Sequence, residues 1–190
     1  ATASSGNAGA SLAAYAAKAG IACIVASMAG ASGPMLTQIR KFGATTVLMA
    51  DKSLRWPYLK AGAEQYGWYV TSPYASPVVG SSPIGIEGYK TIAYEIYEDF
   101  GEAPDWIALP VCYGDALFGI FLGFMHLLSA GRIHTLPRFI AAEAHGSLAN
   151  AIREGNDVVE PGQPSYEPLA GSVAATQHSY HAHWALQHSA

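Results

Sequence analysis

A chain of 190 residues with 51% hydrophobic and 13% charged residues can bury a substantial core, which excludes an intrinsically disordered protein. Net charge is −4 and no basic cluster is longer than Arg40-Lys41, which argues against nucleic acid or an anionic membrane surface as the main partner. No uncharged apolar run reaches the roughly 18 residues of a membrane span, so no membrane partner and a cytoplasmic location are expected.

In chain order, Ser4-Ser5-Gly6-Asn7-Ala8-Gly9 runs into an alanine-rich segment that predicts a helix ending near Gly20. Orphan amides, short hydroxyls and the helix dipole make such a turn either a well-capped helix start or a seat for an anion. Residues 21–26 form a continuous apolar run, as a parallel strand covered on both faces requires. Gly33-Pro34 opens a second helix, with Leu36, Ile39 and Phe42 at helical spacing and Gly43 closing it. Residues 45–49 read as a strand, 53–66 as a helix limited at its start by Pro57, and 68–71 as another strand. This β–α alternation predicts an α/β fold with a doubly wound parallel sheet.

The proline- and serine-rich stretch 72–83 breaks the rhythm and marks a lobe boundary. It divides the chain into a small lobe, residues 1–72, and part of a large lobe, residues 73–190. Beyond it, residues 87–100 are helical in period through Ile92, Ile96 and Phe100. Residues 106–111 and 139–142 read as strands, 117–128 and 147–153 as helices, and 155–168 as a loop. Residues 176–190 read as a helix with no stop signal, so the chain is expected to be a portion of a longer polypeptide, incomplete at its C-terminus.

Cys112-Tyr113-Gly114-Asp115-Ala116 lies between a predicted strand and a predicted helix. Backbone amides there suit a phosphate, although Asp115 is equally an ordinary helix cap. Cys23 and Cys112 fall in apolar, strand-like runs and read as buried, reduced thiols. His178, His181, His183 and His188 read as a polar helix face or a partner-facing surface and not as a metal site, since no cysteine lies near and no acid follows Glu167. Trp56, Trp68, Trp106 and Trp184 are expected in the core or at a lobe interface. Lys18, Lys41, Lys52 and Lys60 are expected on solvated helix faces.

Taken in order, Ser4-Ser5-Gly6-Asn7-Ala8-Gly9, Glu87-Gly88-Tyr89-Lys90-Thr91 and Leu109-Pro110-Val111 through Gly114 to Gly119 resemble one family. It is the pyridoxal-phosphate enzymes of the tryptophan synthase β-subunit type (fold type II), and within them the threonine synthase-like branch. Gly123-Phe124, Leu136-Pro137-Arg138 with Glu143 after it, and Ser172-Val173-Ala174 extend the resemblance over essentially the whole chain.

The resemblance implies parts of two lobes of a three-layer αβα fold and pyridoxal 5'-phosphate as the cofactor. Asn7 would hydrogen-bond the cofactor's phenolic oxygen, and Ser4, Ser5 and the amide of Ala8 would hold a substrate carboxylate. The amides of Cys112, Tyr113, Gly114, Asp115 and Ala116 would cup the cofactor phosphate. The family's loop is usually richer in glycine, and an acid beside a phosphate is unfavourable unless its side chain turns away. The implied activity is elimination or replacement at the β or γ carbon of a small amino-acid substrate, in a protein that is a homodimer at full length. Glu87-Gly88-Tyr89-Lys90-Thr91 favours a threonine synthase over a serine/threonine dehydratase-type ammonia-lyase. A phosphate-bearing substrate would find positive charge only at Lys90 and Arg40. The family's Schiff-base lysine lies well ahead of the Ser-Ser-Gly-Asn turn, so no catalytic residue is assigned here. This stretch alone is expected to be inert, and a non-catalytic module is the remaining alternative.

Overall fold

Parallel strands joined by helices build each of two units, residues 1–75 and 76–190. The computed structural model describes residues 1–190 except Ser32, Ser165 and Ala190. In the first unit β1 (Thr2–Ala3), β2 (Ile24–Met28) and β3 (Thr45–Met49) form a sheet of order β1-β2-β3. Val25 stands opposite Thr2 on one side and Thr46 on the other. Parallel neighbours need a crossover, which α1 (Asn7–Ala19) and α2 (Pro34–Lys41) supply. The third helix, α3 (Arg55–Tyr66), follows a short 3-10 turn at Lys52–Leu54. Ala10, Ala13 and Ala16 give α1 a flat face that packs with Val25 and Ile39, both fully buried. Each of those two branched side chains contributes about 1.5–3 kcal/mol by leaving water.

Two strand expectations change here. β2 begins three residues later than the apolar run, because Ile21 is spent on closing α1. Its amide donates to Ala16 O at 2.9 Å, and its side chain is 66% exposed. Residues 68–71 form no strand. They meet Ala1 through bonds from the Ala1 amine to Tyr69 O (2.6 Å) and from Thr71 N (2.9 Å) and Thr71 Oγ1 (3.4 Å) to Ala1 O, which do not make a ladder. Phe42 caps α2 and is 39% exposed, so Leu36 and Ile39 are the residues this helix buries.

The second unit holds a parallel pair, β4 (Trp106–Pro110) and β5 (Arg138–Ala142), with Trp106 opposite Arg138. Its helices are α4 (Pro83–Gly88), α5 (Lys90–Phe100), α6 (Asp115–Ser129), α7 (Ser147–Glu154) and α8 (Tyr180–His188). α6 is apolar on nearly every face and buries Leu117, Ile120, Phe121 and Phe124, as a central helix does. Gly119 and Gly123 let its neighbours in. A β-carbon at Gly119 would lie 2.5 Å from Tyr89 Cβ, and one at Gly123 2.6 Å from Ala93 Cβ.

The single helix expected over residues 87–100 is two, starting at Pro83 after the Ser82 cap and interrupted at Tyr89. Docking on α6 selects Lys90 and Ala93 as the buried face of α5, leaving Ile92 and Phe100 exposed. α8 starts at Tyr180, four residues after the expected start, because Ser179 Oγ accepts the Ala182 amide at 3.1 Å and fixes the cap there. The end of that expectation, Ala190, lies outside the described residues. Trp106 is 54% exposed with the Arg138 guanidinium 5.2 Å above its ring, so it is not a core residue. Cys23 and Cys112 are not joined in a disulfide and lie in loops beside strands, the first buried and the second half-buried. Among the described residues no helix is long and apolar enough to cross a membrane.

Candidate cofactor and substrate turns

The first turn follows β1. Ser4 donates its amide to Ala26 O at 3.0 Å, which fixes the chain at the end of the sheet. Its Oγ accepts from Gly9 N at 2.9 Å and Gly6 N at 3.3 Å, so the hydroxyl oxygen caps α1 while its proton is left to donate. Ser5 Oγ accepts from Ser27 Oγ at 3.1 Å. Asn7 and Ala8 are exposed, and neither their amides nor the Asn7 carboxamide has a partner among the described residues. No acid lies in the first turn of α1, so its positive end is unopposed.

The second turn links β4 to α6. Gly114 is the N-cap of α6 at φ +102°, ψ +10°, a backbone position that side chains rarely adopt. A β-carbon there would also overlap Ala182 Cβ. The Tyr113 carbonyl accepts the Ser179 amide at 2.8 Å, and Gly114 O accepts Phe118 N at 3.0 Å. The amides of Gly114, Asp115 and Ala116 are among the orphan donors at the start of this 15-residue helix. The Asp115 carboxylate takes the Ser81 amide at 2.9 Å on one oxygen and the Ser81 hydroxyl on the other. The acid is thus committed to Ser81 instead of its own helix start. Helix-start amides and an acid that faces elsewhere make a cradle that suits a phosphate.

Lys90 is not a free charge. It is 7% exposed, with its Nζ 2.6 Å from Glu87 Oε2 and 3.3 Å from His126 Nε2. His126 Nδ1 meets the Tyr94 hydroxyl at 3.1 Å, which completes the network. Arg40 is exposed and donates to Thr46 Oγ1 at 3.2 Å. Lys18, Lys41, Lys52 and Lys60 are exposed, as their helix positions imply.

His178 and His183 overturn the polar-face reading, while His188 stays exposed. His178 and His183 are 1% and 0% exposed, because the segment packs inward on α6, α7 and β5. His181 stacks on Phe118 with centroids 4.3 Å apart, and His188 on Trp184 at 4.0 Å. Burial pushes the His178, His181 and His183 rings below the usual imidazole value. Glu143, Asp115 and Asp157 respectively oppose that shift. His178 Nδ1 is hydrogen-bonded to Ser147 Oγ, and its Nε2 lies 3.5 Å from Glu143 Oε2. Glu143 also caps α7 through Leu148 N (3.0 Å) and Ala149 N (2.8 Å). Sequence reasoning missed this cluster. Its one early signal was an acid four residues before the Ser147 that opens a helix.

The family model for pyridoxal-phosphate dependent enzymes matches residues 1–186. The chain belongs to this family. Its cofactor is therefore pyridoxal 5'-phosphate. The chain is 36% identical over 154 residues to the threonine synthase of Mycobacterium tuberculosis, covering 80% of this chain and 41% of that one. It is 30% identical over 187 residues to the threonine synthase of Methanocaldococcus jannaschii, covering 84% and 44%. The chain thus spans about two fifths of the length of these curated relatives. Among solved structures, maize serine racemase superposes with a TM-score of 0.78 at 21% identity, covering 99% of this chain and 53% of that one. The processed form of threonine deaminase isoform 2 from Solanum lycopersicum gives 0.74 at 18%, covering 98% and 48%. These two likenesses place the chain in the α/β architecture expected from its sequence.

Proposed function

We propose that the protein containing this chain is a pyridoxal-phosphate enzyme that eliminates or replaces a group at the β or γ carbon of a small amino acid, most like a threonine synthase. The observation that carries the reading is the amide cradle of α6, with Asp115 drawn off by Ser81. When bound, the cofactor supplies an electron sink for a carbanion at the substrate's Cα. The chain's own groups bind and orient. Amides of Cys112, Tyr113, Gly114, Asp115 and Ala116 hold the phosphate, and the Asn7 carboxamide donates to the phenolic oxygen. Ser4, Ser5 and the Ala8 amide receive the substrate carboxylate at the positive end of α1. The reacting lysine is assigned to a part of the protein outside this chain, which alone is inert. Residues 1–72 are read as small-lobe and 73–190 as large-lobe segments of a cytoplasmic homodimer.

A second reading, a serine/threonine ammonia-lyase, is favoured by the state of Lys90. A phosphorylated substrate needs free positive charge, and this ammonium is already spent on Glu87 and His126. Assay of the intact gene product decides between them. Formation of threonine from a γ-phosphorylated amino acid supports the first, and release of ammonia and a keto acid from threonine supports the second. A protein that gains no cofactor mass after borohydride reduction is a non-catalytic module, and both readings fail.

A further inference from the structure

Behind the second turn lies a set of buried polar side chains to which the proposed chemistry gives no role. Val111 precedes the turn and donates its amide to Ala142 O at 2.9 Å, which extends the β4–β5 pair. Glu143 follows β5, Ser147 opens α7, and His178 stands two residues before α8. The His178 ring is hydrogen-bonded to Ser147 and faces Glu143 at 3.5 Å, so one imidazole joins the end of β5 to α7, and the Val111 backbone favours its protonated form. Ser147 Oγ holds Nδ1, while Nε2 faces Glu143 Oε2 at 3.5 Å without hydrogen-bond geometry. His145, the other titratable ring facing His178, opposes its protonation.

The next residue carries the contact onward. Ser179 gives its amide to the Tyr113 carbonyl, and its hydroxyl caps α8 at Ala182 N. Ala182 in turn fills the space that a side chain at position 114 would need. In a trans peptide the carbonyl and the following N–H point in opposite directions. With the Tyr113 carbonyl held on Ser179, the Gly114 N–H is turned away from Ser179 and the start of α8.

A serine, a histidine and an acid in one cluster also make up a hydrolytic triad. Here Ser147 is 4%, His178 1% and the Glu143 side chain 8% exposed, so no substrate reaches them and they act by position.

We infer that His178 is a positioning residue for the cofactor phosphate: it locks the 178–182 segment to the end of β5 and to α7 and thereby aims the Tyr113–Gly114 peptide. The inference rests on the cradle assigned above. Equilibrium dialysis of the intact gene product against pyridoxal 5'-phosphate, and against pyridoxal, which lacks the phosphate, tests it. His178→Ala is expected to weaken binding of the phosphorylated form about tenfold and of pyridoxal less than about twofold. His178→Gln keeps a polar head between Ser147 and Glu143 and is expected to recover most of the loss, while Ser147→Ala costs about threefold. Equal losses for both ligands, or no loss in His178→Ala, overturn the inference. A glutamine variant as poor as the alanine one does the same. Should His178→Ala not fold, the glutamine and Ser147→Ala proteins carry the same comparison. A wild-type protein with no preference for the phosphorylated form sinks the cradle itself, which keeps the two failures apart.

Discussion

Gly114 lies against Ala182 so closely that a β-carbon on the glycine would overlap the alanine's own. Two costs therefore fall on Gly114→Ala. The left-handed backbone costs about 1–2 kcal/mol for a residue with a side chain, and forcing in the extra methyl about 1–3 kcal/mol. The expected destabilisation is about 2–5 kcal/mol, read from urea unfolding of the purified protein. Gly114→Ala combined with Ala182→Gly recovers the packing share only, because the backbone strain remains.

Ser81 and Asp115 are predicted to be coupled in cofactor affinity. Ser81→Ala frees the carboxylate to turn onto the α6 amides, where it competes with the phosphate. The dissociation constant for pyridoxal 5'-phosphate is expected to rise about tenfold, or about 1.4 kcal/mol. Asp115→Asn on the Ser81→Ala background is expected to return it to within about threefold of wild type. A double mutant as weak as Ser81→Ala refutes the competition.

Much of this arrangement is legible in the sequence, and the reason differs from place to place. Helix starts at Asn7, Pro34 and Ser147 carry local chemistry in their caps and first turns, so reading them needs no tertiary information. Thr45–Met49 is bounded by glycine on one side and by acid and lysine on the other, and it folds where it reads. Ile21 illustrates the opposite case. Its apolar neighbours signal a strand, yet closing α1 uses its amide first. His178 and His183 are polar by type and buried by position, and nothing within a few residues announces the Glu143 and Ser147 that meet His178. Ser81 is the same kind of partner, 34 residues from the acid it holds.

Acidification is predicted to loosen residues 76–190. Burial lowers the pKa of His178, His181 and His183 below the ordinary imidazole value of 6.5. Below that value the unfolded chain takes up protons that the folded one refuses, so stability falls with falling pH. It is fully present above pH 6.5 and lost progressively as pH drops toward the lowered folded values. The urea midpoint is expected to be lower at about pH 5.5 than at about pH 7.5. His183→Leu removes a ring with both nitrogens buried and unpartnered among the described residues, and it is expected to flatten the profile. A profile as steep in His183→Leu as in wild type denies this ring its share.

Lys90 separates structure from chemistry. Its stem is buried against α6 and its ammonium is shared between Glu87 and His126. Lys90→Ala is expected to cost about 2–3 kcal/mol, because packing goes with the charge. Lys90→Met keeps the stem and is expected to cost less than about 1.5 kcal/mol. Cofactor mass retained after borohydride reduction is expected to be unchanged in Lys90→Met. Its loss would make this lysine the reacting one and contradict the assignment of that role outside the chain.

Ser4 and Asn7 sit three residues apart, and their substitutions are predicted to fail in different ways. Ser4 Oγ receives the Gly9 amide at 2.9 Å, so Ser4→Ala leaves a helix-start donor without its acceptor. The expected cost is about 1 kcal/mol, the usual worth of a capping side chain. The Asn7 carboxamide is exposed and holds nothing in its own unit, so Asn7→Ala is expected to change stability by less than about 0.5 kcal/mol. Its effect belongs to the bound cofactor, whose absorbance maximum is expected to shift once the phenolic oxygen loses a donor. Ser4→Ala leaves that donor in place and is expected to keep the wild-type maximum. An unshifted spectrum in Asn7→Ala would separate this turn from the cofactor and leave it only a role in starting α1.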